Sequence, residues 1–241
     1  MSYFLFDKTI VIGSSFTLAG DEALHLISSR RIKAGEQVII QDSDKKRFAC
    51  TVSQINKRDL ILVPDKEIET PTEPQLQITI CQALVAEQAL DIIIQKLTEL
   101  GATRLIVFES TNSPASIKQK VESKLSRWNR ISLEAAKQSD RTRPLRIEFV
   151  PTIPEVIKSL GACPIIVLDK EGQIGTKEIK IKNEVAVLVG PEGGLTEPEL
   201  NLIKNSDLAT SVRLGPRILR AETAALAITA VLQSQFGDFG K

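Results

Sequence analysis

Hydrophobic and polar positions change rhythm partway along the chain. In the N-terminal part, short apolar or alternating runs are broken by polar turns. Tyr3–Phe6, Gln37–Ile40, Phe48–Val52 and Leu60–Val63 predict strands, Ala23–Ser29 a short helix, and Asp42–Lys46 a hairpin turn. Pro64 to Pro74 holds three prolines and four acidic residues with little apolar content, which predicts a linker. From Leu76 onward strands and helices alternate. Leu76–Val85 and Leu105–Glu109 read as strands, and between them Glu87–Leu100 reads as an amphipathic helix stopped by Gly101. A long basic helix follows, with Val121, Leu125, Trp128, Ile131 and Leu133 at its apolar positions. Pro154–Leu160 reads as a short helix and Ala221–Phe236 as a final one. Pro164–Leu168 and Val185–Val189 are continuous apolar runs rich in β-branched residues, as parallel strands buried on both faces require.

The pattern predicts an α/β chain of two domains. Residues 1–70 form a small β-barrel, and residues 74–241 a mostly parallel sheet with helices on both sides. General topology rules predict an unknotted path.

Candidate chemistry concentrates where the last strands end. Val185–Val189 runs into Gly190-Pro-Glu-Gly-Gly194, and a second turn follows at Arg213-Leu-Gly-Pro-Arg-Ile-Leu-Arg-Ala-Glu-Thr-Ala224. Glycine and proline at strand ends let main chain approach a ligand closely. Neither turn has P-loop or dinucleotide-fingerprint spacing. Thr196-Glu-Pro-Glu199 reads as a capping box, so the first turn also suits a plain βα connection. Arg213, Arg217 and Arg220 beside Gly215 suit either a solvated face or a clamp for phosphates or nucleotide edges.

Bulk properties narrow the classes. The 241 residues carry a net charge of +1, with 42% hydrophobic and 25% charged residues, ordinary for a globular protein able to bury a sizeable core. No signal peptide or long apolar run is seen, which argues against secretion or membrane insertion and for a cytoplasmic protein. Cys50, Cys81 and Cys163 lack CxxC spacing and read as reduced, buried thiols. His25, the only histidine, leaves no basis for a histidine triad or a multi-imidazole metal site, and no metal is expected. Between Ser116 and Arg146 nine basic residues face three acidic ones, a local excess suited to a phosphate backbone or to a solvated helix face.

Gly190-Pro-Glu-Gly-Gly194 followed by Leu214-Gly-x-Arg-Ile-Leu-Arg-x-Glu-Thr-Ala224 resembles the knotted SPOUT-class RNA methyltransferases, in particular the ribosomal small-subunit methyltransferase E family. Gln95-Lys-Leu-Thr-Glu-Leu-Gly101, the Trp128 to Arg141 stretch ending in Gln138-Ser-x-Arg141, and His25-Leu with Arg31-x-x-x-Gly35 are similar to further motifs of that family. The resemblance implies a PUA-like N-terminal barrel, a C-terminal trefoil knot, a homodimer, and methylation of N3 of a uridine in 16S small-subunit ribosomal RNA by S-adenosylmethionine. It implies a cofactor site of Leu168, Val189, Gly190, Pro191, Glu192, Gly193, Gly194, Leu214, Gly215, Ile218, Leu219, Thr223 and Ala224. Arg217 and Arg220 would stabilise charge on the uracil, and Glu222 is the nearest candidate base, although it also reads as a carboxylate favoured at a helix N-terminus. Arg30, Arg31, Arg127, Arg130, Gln138 and Arg141 would meet ribosomal RNA of the 30S particle; no DNA or membrane partner is implied. The chain departs from the family pattern at Ser2, at Ser29-Arg30-Arg31, at Ala86 in place of lysine, and at Asn112, where an RNA-contacting arginine is expected. A non-catalytic RNA-binding assembly factor and a ribose 2′-O-methyltransferase of the same fold are the alternative readings.

Overall fold

A computed structural model describes residues 3–71, 73–114 and 116–240. Ser2 lies outside the described residues. The chain packs as two units: residues 1–72 with Asp140–Thr142, and Glu73–Ser139 with Arg143–Lys241.

In the first unit β1 (Phe4–Leu5) and β2 (Phe16–Ala19) precede α1 (Gly20–Leu24), which continues into a π-helical turn over His25–Ser29. Then come β3 (Gln37–Gln41), β4 (Arg47–Ile55) and β5 (Asp59–Ile68). The half-barrel sheet has the order β1-β3-β4-β5-β2 and closes on a core that includes Phe4, Leu18, Leu26, Ile40, Val52 and Leu62. The linker expected from Pro64 is corrected in its first residues, because β5 continues through Pro64 to Ile68. The reason is a register shift: β5 pairs Pro64 with Cys50 and Lys66 with Ala49, leaving one residue extra on β5. A bulge accommodates a residue with no N–H to give to the ladder. β2 escaped prediction because only four residues carry its alternation.

Asp140–Thr142 joins this unit through Arg47, a buried cation at the start of β4. Its Nε donates to Gln41 Oε1 at 3.1 Å, and its Nη2 to the carbonyls of Asp140 and Arg141 at 3.0 and 3.2 Å. Its Nη1 pairs with the Asp140 carboxylate, and the guanidinium lies 4.1 Å from the Tyr3 ring centroid. A charge this deep is tolerable only with such complete pairing.

The second unit contains β6 (Gln77–Ala83), α2 (Glu87–Glu99), β7 (Arg104–Phe108), α3 (Val121–Gln138), β8 (Arg146–Phe149), α4 (Ile153–Leu160), β9 (Ile165–Leu168), β10 (Ile174–Gly175), β11 (Glu184–Val189), α5 (Glu197–Lys204), β12 (Ala209–Arg213) and α6 (Ala221–Phe236). Seven parallel strands run in the order β10-β12-β9-β11-β6-β7-β8. The expected fold class, a β module followed by a parallel α/β sheet, is present. β8, β10 and β12 carry little apolar signal. β12 reads Ala-Thr-Ser-Val-Arg, and β8 is an edge strand with Arg146 and Glu148 on it.

The apolar runs divide residue by residue between two cores. Ile78, Ile80, Leu105, Val107, Val185, Val187 and Val189 pack with α2, α3 and α6, while Cys81, Ala83, Ile106, Phe108, Ala186 and Leu188 pack with α4 and α5. Alternation with period two is what makes a continuous run the signature of a strand covered on both sides.

Candidate active site

Strand order brings the candidate turns together. β12, β9 and β11 are consecutive neighbours, so the chain leaving Leu168, Val189 and Arg213 emerges along one edge of the sheet. Ligands of open parallel sheets bind outside such carboxyl ends. A cleft of about 400 Å³ lies there. Its walls include Leu168, Val189, all of Gly190 to Gly194, Leu214, Gly215, Arg217, Ile218, Leu219 and Ala224 from the sequence reading. Arg213, one of the three arginines named as a possible clamp, lines it too; Asp169, Lys170, Leu195, Leu200, Val212 and Ala221 also do, and sequence reasoning had not singled them out for a site. Thr223, Arg220 and Glu222 are not in the lining. Arg220 lies 3.9 Å from Glu222 at the start of α6, its side chain 86% exposed, beside a Glu222 side chain only 20% exposed.

Main chain shapes the walls. Gly194 donates to the Pro191 carbonyl at 2.9 Å, closing a tight turn, and takes φ +72°. A Cβ on Gly190 would press against the Leu195 amide at 3.1 Å. Gly215 has φ +118°, a conformation other residues avoid.

Side chains from neighbouring elements brace the first turn. Glu192, predicted as a cofactor contact, also turns its carboxylate to the Ala86 amide at 3.0 Å, at the N-terminus of α2. An anion there is favoured by the unpaired N–H groups and the helix dipole. Glu199 accepts from Thr196 N at 2.7 Å in the predicted capping box, and from Thr111 N at 2.8 Å across the loop after β7. Burial works against its charge, yet the backbone donors of Thr111 and Thr196 outweigh it and hold the carboxyl below its usual range. Asp169 behaves alike: burial opposes ionisation, but Lys204 at 2.8 Å and the Glu171 amide keep its pKa low.

The RNA candidates are spread more widely. Arg30 and Arg31 are exposed in the first unit; Arg30 sits 5.1 Å from the Phe4 ring centroid, and Arg31 has φ +51°. Arg130 and Gln138 are exposed on α3. Arg127 is bound to Glu87 and Asp91, and Lys124 to Glu87 at 2.7 Å. Arg141 is 9% exposed, and its carbonyl accepts from Arg47 and the Tyr3 hydroxyl. Cys50 and Cys81 are buried, and burial raises both thiols, that of Cys50 to about 12; Cys163 is only half-buried. Among the described residues no helix is long and apolar enough to cross a membrane.

The chain is similar to known RNA methyltransferases along most of its length. Residues 71–233 match the model of an RNA methyltransferase domain, and residues 18–65 that of an RNA methyltransferase PUA domain. The chain is 30% identical to ribosomal RNA small subunit methyltransferase E of Bacillus subtilis, covering 90% of this chain and 89% of that one. It is 29% identical to the same enzyme of Aquifex aeolicus, covering 92% and 95%. The crystal structure of ribosomal RNA small subunit methyltransferase E from Neisseria gonorrhoeae, bound to S-adenosyl methionine, is similar with a TM-score of 0.89 at 26% identity, covering 99% of both chains. With the family model spanning most of its length, relatives aligned almost end to end and the same fold in a solved member, the chain belongs to the ribosomal RNA small subunit methyltransferase E family of RNA methyltransferases.

Proposed function

We propose that this protein methylates N3 of a uridine in small-subunit ribosomal RNA, with S-adenosylmethionine as donor. The observation that carries the reading is the cleft where the turns after β9, β11 and β12 meet, walled by glycine-proline main chain and apolar side chains together with Asp169, Lys170, Glu192, Arg213 and Arg217. The residues present fit a nucleoside-bearing cofactor. The volume lies within the range of small-ligand sites. The close approach at Gly190 and the left-handed Gly215 leave backbone, rather than charged side chains, to grip adenine and ribose edges. When bound, S-adenosylmethionine supplies a methyl group already activated on a sulfonium.

The chain's own tasks are then positional and electrostatic. The turns hold the donor at the strand ends, while an extruded uridine presents N3 in line with the methyl. Arg217, exposed on the cleft wall, would stabilise negative charge on the uracil carbonyl oxygens as the N3 proton leaves. Arg220 keeps that role only by swinging from Glu222 toward the substrate. Glu222, paired with Arg220 and outside the lining, fits its helix-terminal role better than that of a general base. Arg30, Arg31, Arg130 and Gln138 are exposed positions for RNA contact. The reading includes a PUA-like domain at residues 1–70 and a methyltransferase domain at 74–241, a knotted path through the latter, a cytoplasmic homodimer, and the 30S particle as the setting of the substrate.

Reverse transcription of ribosomal RNA from cells with and without the protein tests this. An N3-methyl group blocks the Watson–Crick edge, so the expected result is one small-subunit stop that vanishes with the protein and returns on complementation. A protein-dependent mark passed at ample nucleotide, and stopping only at low nucleotide, would instead indicate ribose methylation. Identical profiles in both strains, with no donor bound in calorimetry, would indicate a non-catalytic assembly factor.

A further inference from the structure

We propose that Gln82 and Asn112 are positioning residues for methyl transfer, two side-chain amides that fix the Gly190–Gly194 turn from the end of β6 and from the loop after β7. The inference rests on the reading of that turn as the donor's seat.

Gln82 is an anomaly on stability grounds. It is fully buried in β6, on the same strand face as Ile78 and Ile80, where an apolar side chain would complete the core. Its Nε2 donates to Gly190 O at 3.1 Å and to Ala83 O at 3.0 Å. Its Oε1 is buried with no hydrogen-bond partner among the described residues. Exchanging the two amide atoms would set oxygen against two carbonyls, so the contacts themselves fix the orientation. A buried amide with one atom unsatisfied is a standing cost. What it provides in return is a fixed Gly190 carbonyl, directly where β11 becomes the turn.

Asn112 acts on the far side of the turn. Its Nδ2 donates to Gly193 O at 3.2 Å and Gly194 O at 3.0 Å. The approach is so close that a Cβ on Gly193 would lie 3.0 Å from that of Asn112, so glycine there is a condition of the contact. With Gly194 N on Pro191 O, the carbonyls of Gly190, Pro191, Gly193 and Gly194 all accept from the protein. Each of these carbonyls keeps a second lone pair, so the turn offers a ligand acceptors as well as N–H donors, all held in fixed directions. Preorganised donors bind without paying for their own ordering. Asn112 occupies the position where an RNA-contacting arginine was expected, and the geometry assigns it to the donor's turn instead.

The test is calorimetric titration of S-adenosylmethionine into the full chain, with steady-state kinetics on ribosomal RNA, for the wild type, Asn112→Ala and Gln82→Leu. Asn112→Ala should weaken donor binding roughly fivefold and Gln82→Leu roughly tenfold. Both should raise KM for the donor while leaving kcat and KM for RNA within about twofold. Gln82→Leu should leave the melting temperature nearly unchanged, since losing the unsatisfied buried oxygen offsets losing the bonds to the Gly190 and Ala83 carbonyls; a residue that merely held the fold would lower it clearly. The double variant should lose less than the sum, because both amides act on one turn. Donor affinity unchanged in both variants overturns the inference, as does an Asn112→Ala that weakens RNA and spares the donor. Should Gln82→Leu fail to fold, Asn112→Ala decides alone. A wild type that binds no donor defeats the functional reading itself, a different outcome from variants that match a binding-competent wild type.

Discussion

Glu199 joins two segments with one carboxylate. It caps α5 by accepting from Thr196 N and Oγ1 at 2.7 and 2.8 Å, and it ties down Thr111 through N and Oγ1 at 2.8 and 3.0 Å. Its pKa is lower in the folded chain than in the unfolded one, so its stabilisation is complete above the unfolded value of about 4.3 and drains away as pH falls through the folded value. Glu199→Gln should cost about 1–2 kcal/mol at neutral pH. Its denaturation midpoint should also fall less steeply than that of the wild type between pH 5 and pH 3, where the wild type protonates. Urea titration over that range measures both effects, and parallel profiles would remove Glu199 from the acid response.

At the scale of elements, the end of α2 shows how a sequence signal and a tertiary contact come to depend on one glycine. Gly101 has φ +81° and donates to Thr98 O at 3.2 Å, while Ala102 donates to Leu97 O at 3.0 Å, a complete Schellman motif. The Gln233 amide of α6 bonds the carbonyls of Leu100 and Gly101 at 3.1 and 3.3 Å, in the space a Cβ would need. That Cβ would meet Gln233 Nε2 at 2.7 Å and Pro74 Cγ at 2.8 Å. Gly101→Ala therefore combines left-handed strain with overpacking and should cost about 2–4 kcal/mol. A lowered melting temperature with donor affinity retained at low temperature is the expected outcome, because Gln233 lies at the opposite end of α6 from Ala221 and Ala224, which line the cleft.

For the molecule as a whole, electrostatics follow the pairing of charges more than their number. The run from Ser116 to Arg146 has nine basic residues, but Lys118, Lys124, Arg127 and Arg146 each have an acidic side chain within 4 Å. Two of those partners, Glu87 and Asp91, come from α2, nearly 40 positions earlier in the chain. Lys124 and Arg127 keep the Glu87 carboxyl ionised to lower pH than usual. Arg130 is exposed on the same helix with no acidic partner among the described residues. RNA affinity should thus fall more for Arg130→Ala than for Arg127→Ala. Arg130→Ala should also reduce the slope of log affinity against log salt by about one unit, as expected for one lost phosphate contact. Filter binding across a salt series checks this, and equal losses would mean that the Glu87 and Asp91 pairs open on binding.

Most of what is local was legible from the residues alone. Periodicity identified both-face-buried strands such as Val185–Val189 and the span of α6; the Thr196–Glu199 box and Gly101 marked helix ends, because each depends on residues only a few positions apart. The glycine-proline turns pointed to the cleft they line for the same reason, since they combine constrained and left-handed backbone within a handful of positions. Weak strands such as β12 escaped, although β12 supplies Arg213 to the cleft wall. Folding in three dimensions settled the order β12-β9-β11, which sets three turns side by side, and it joined Gln82 to Gly190 across 108 positions and Asn112 to Gly193 across 81. No periodicity reaches so far: pairing between distant segments is decided by which faces bury one another and which polar groups must then find partners.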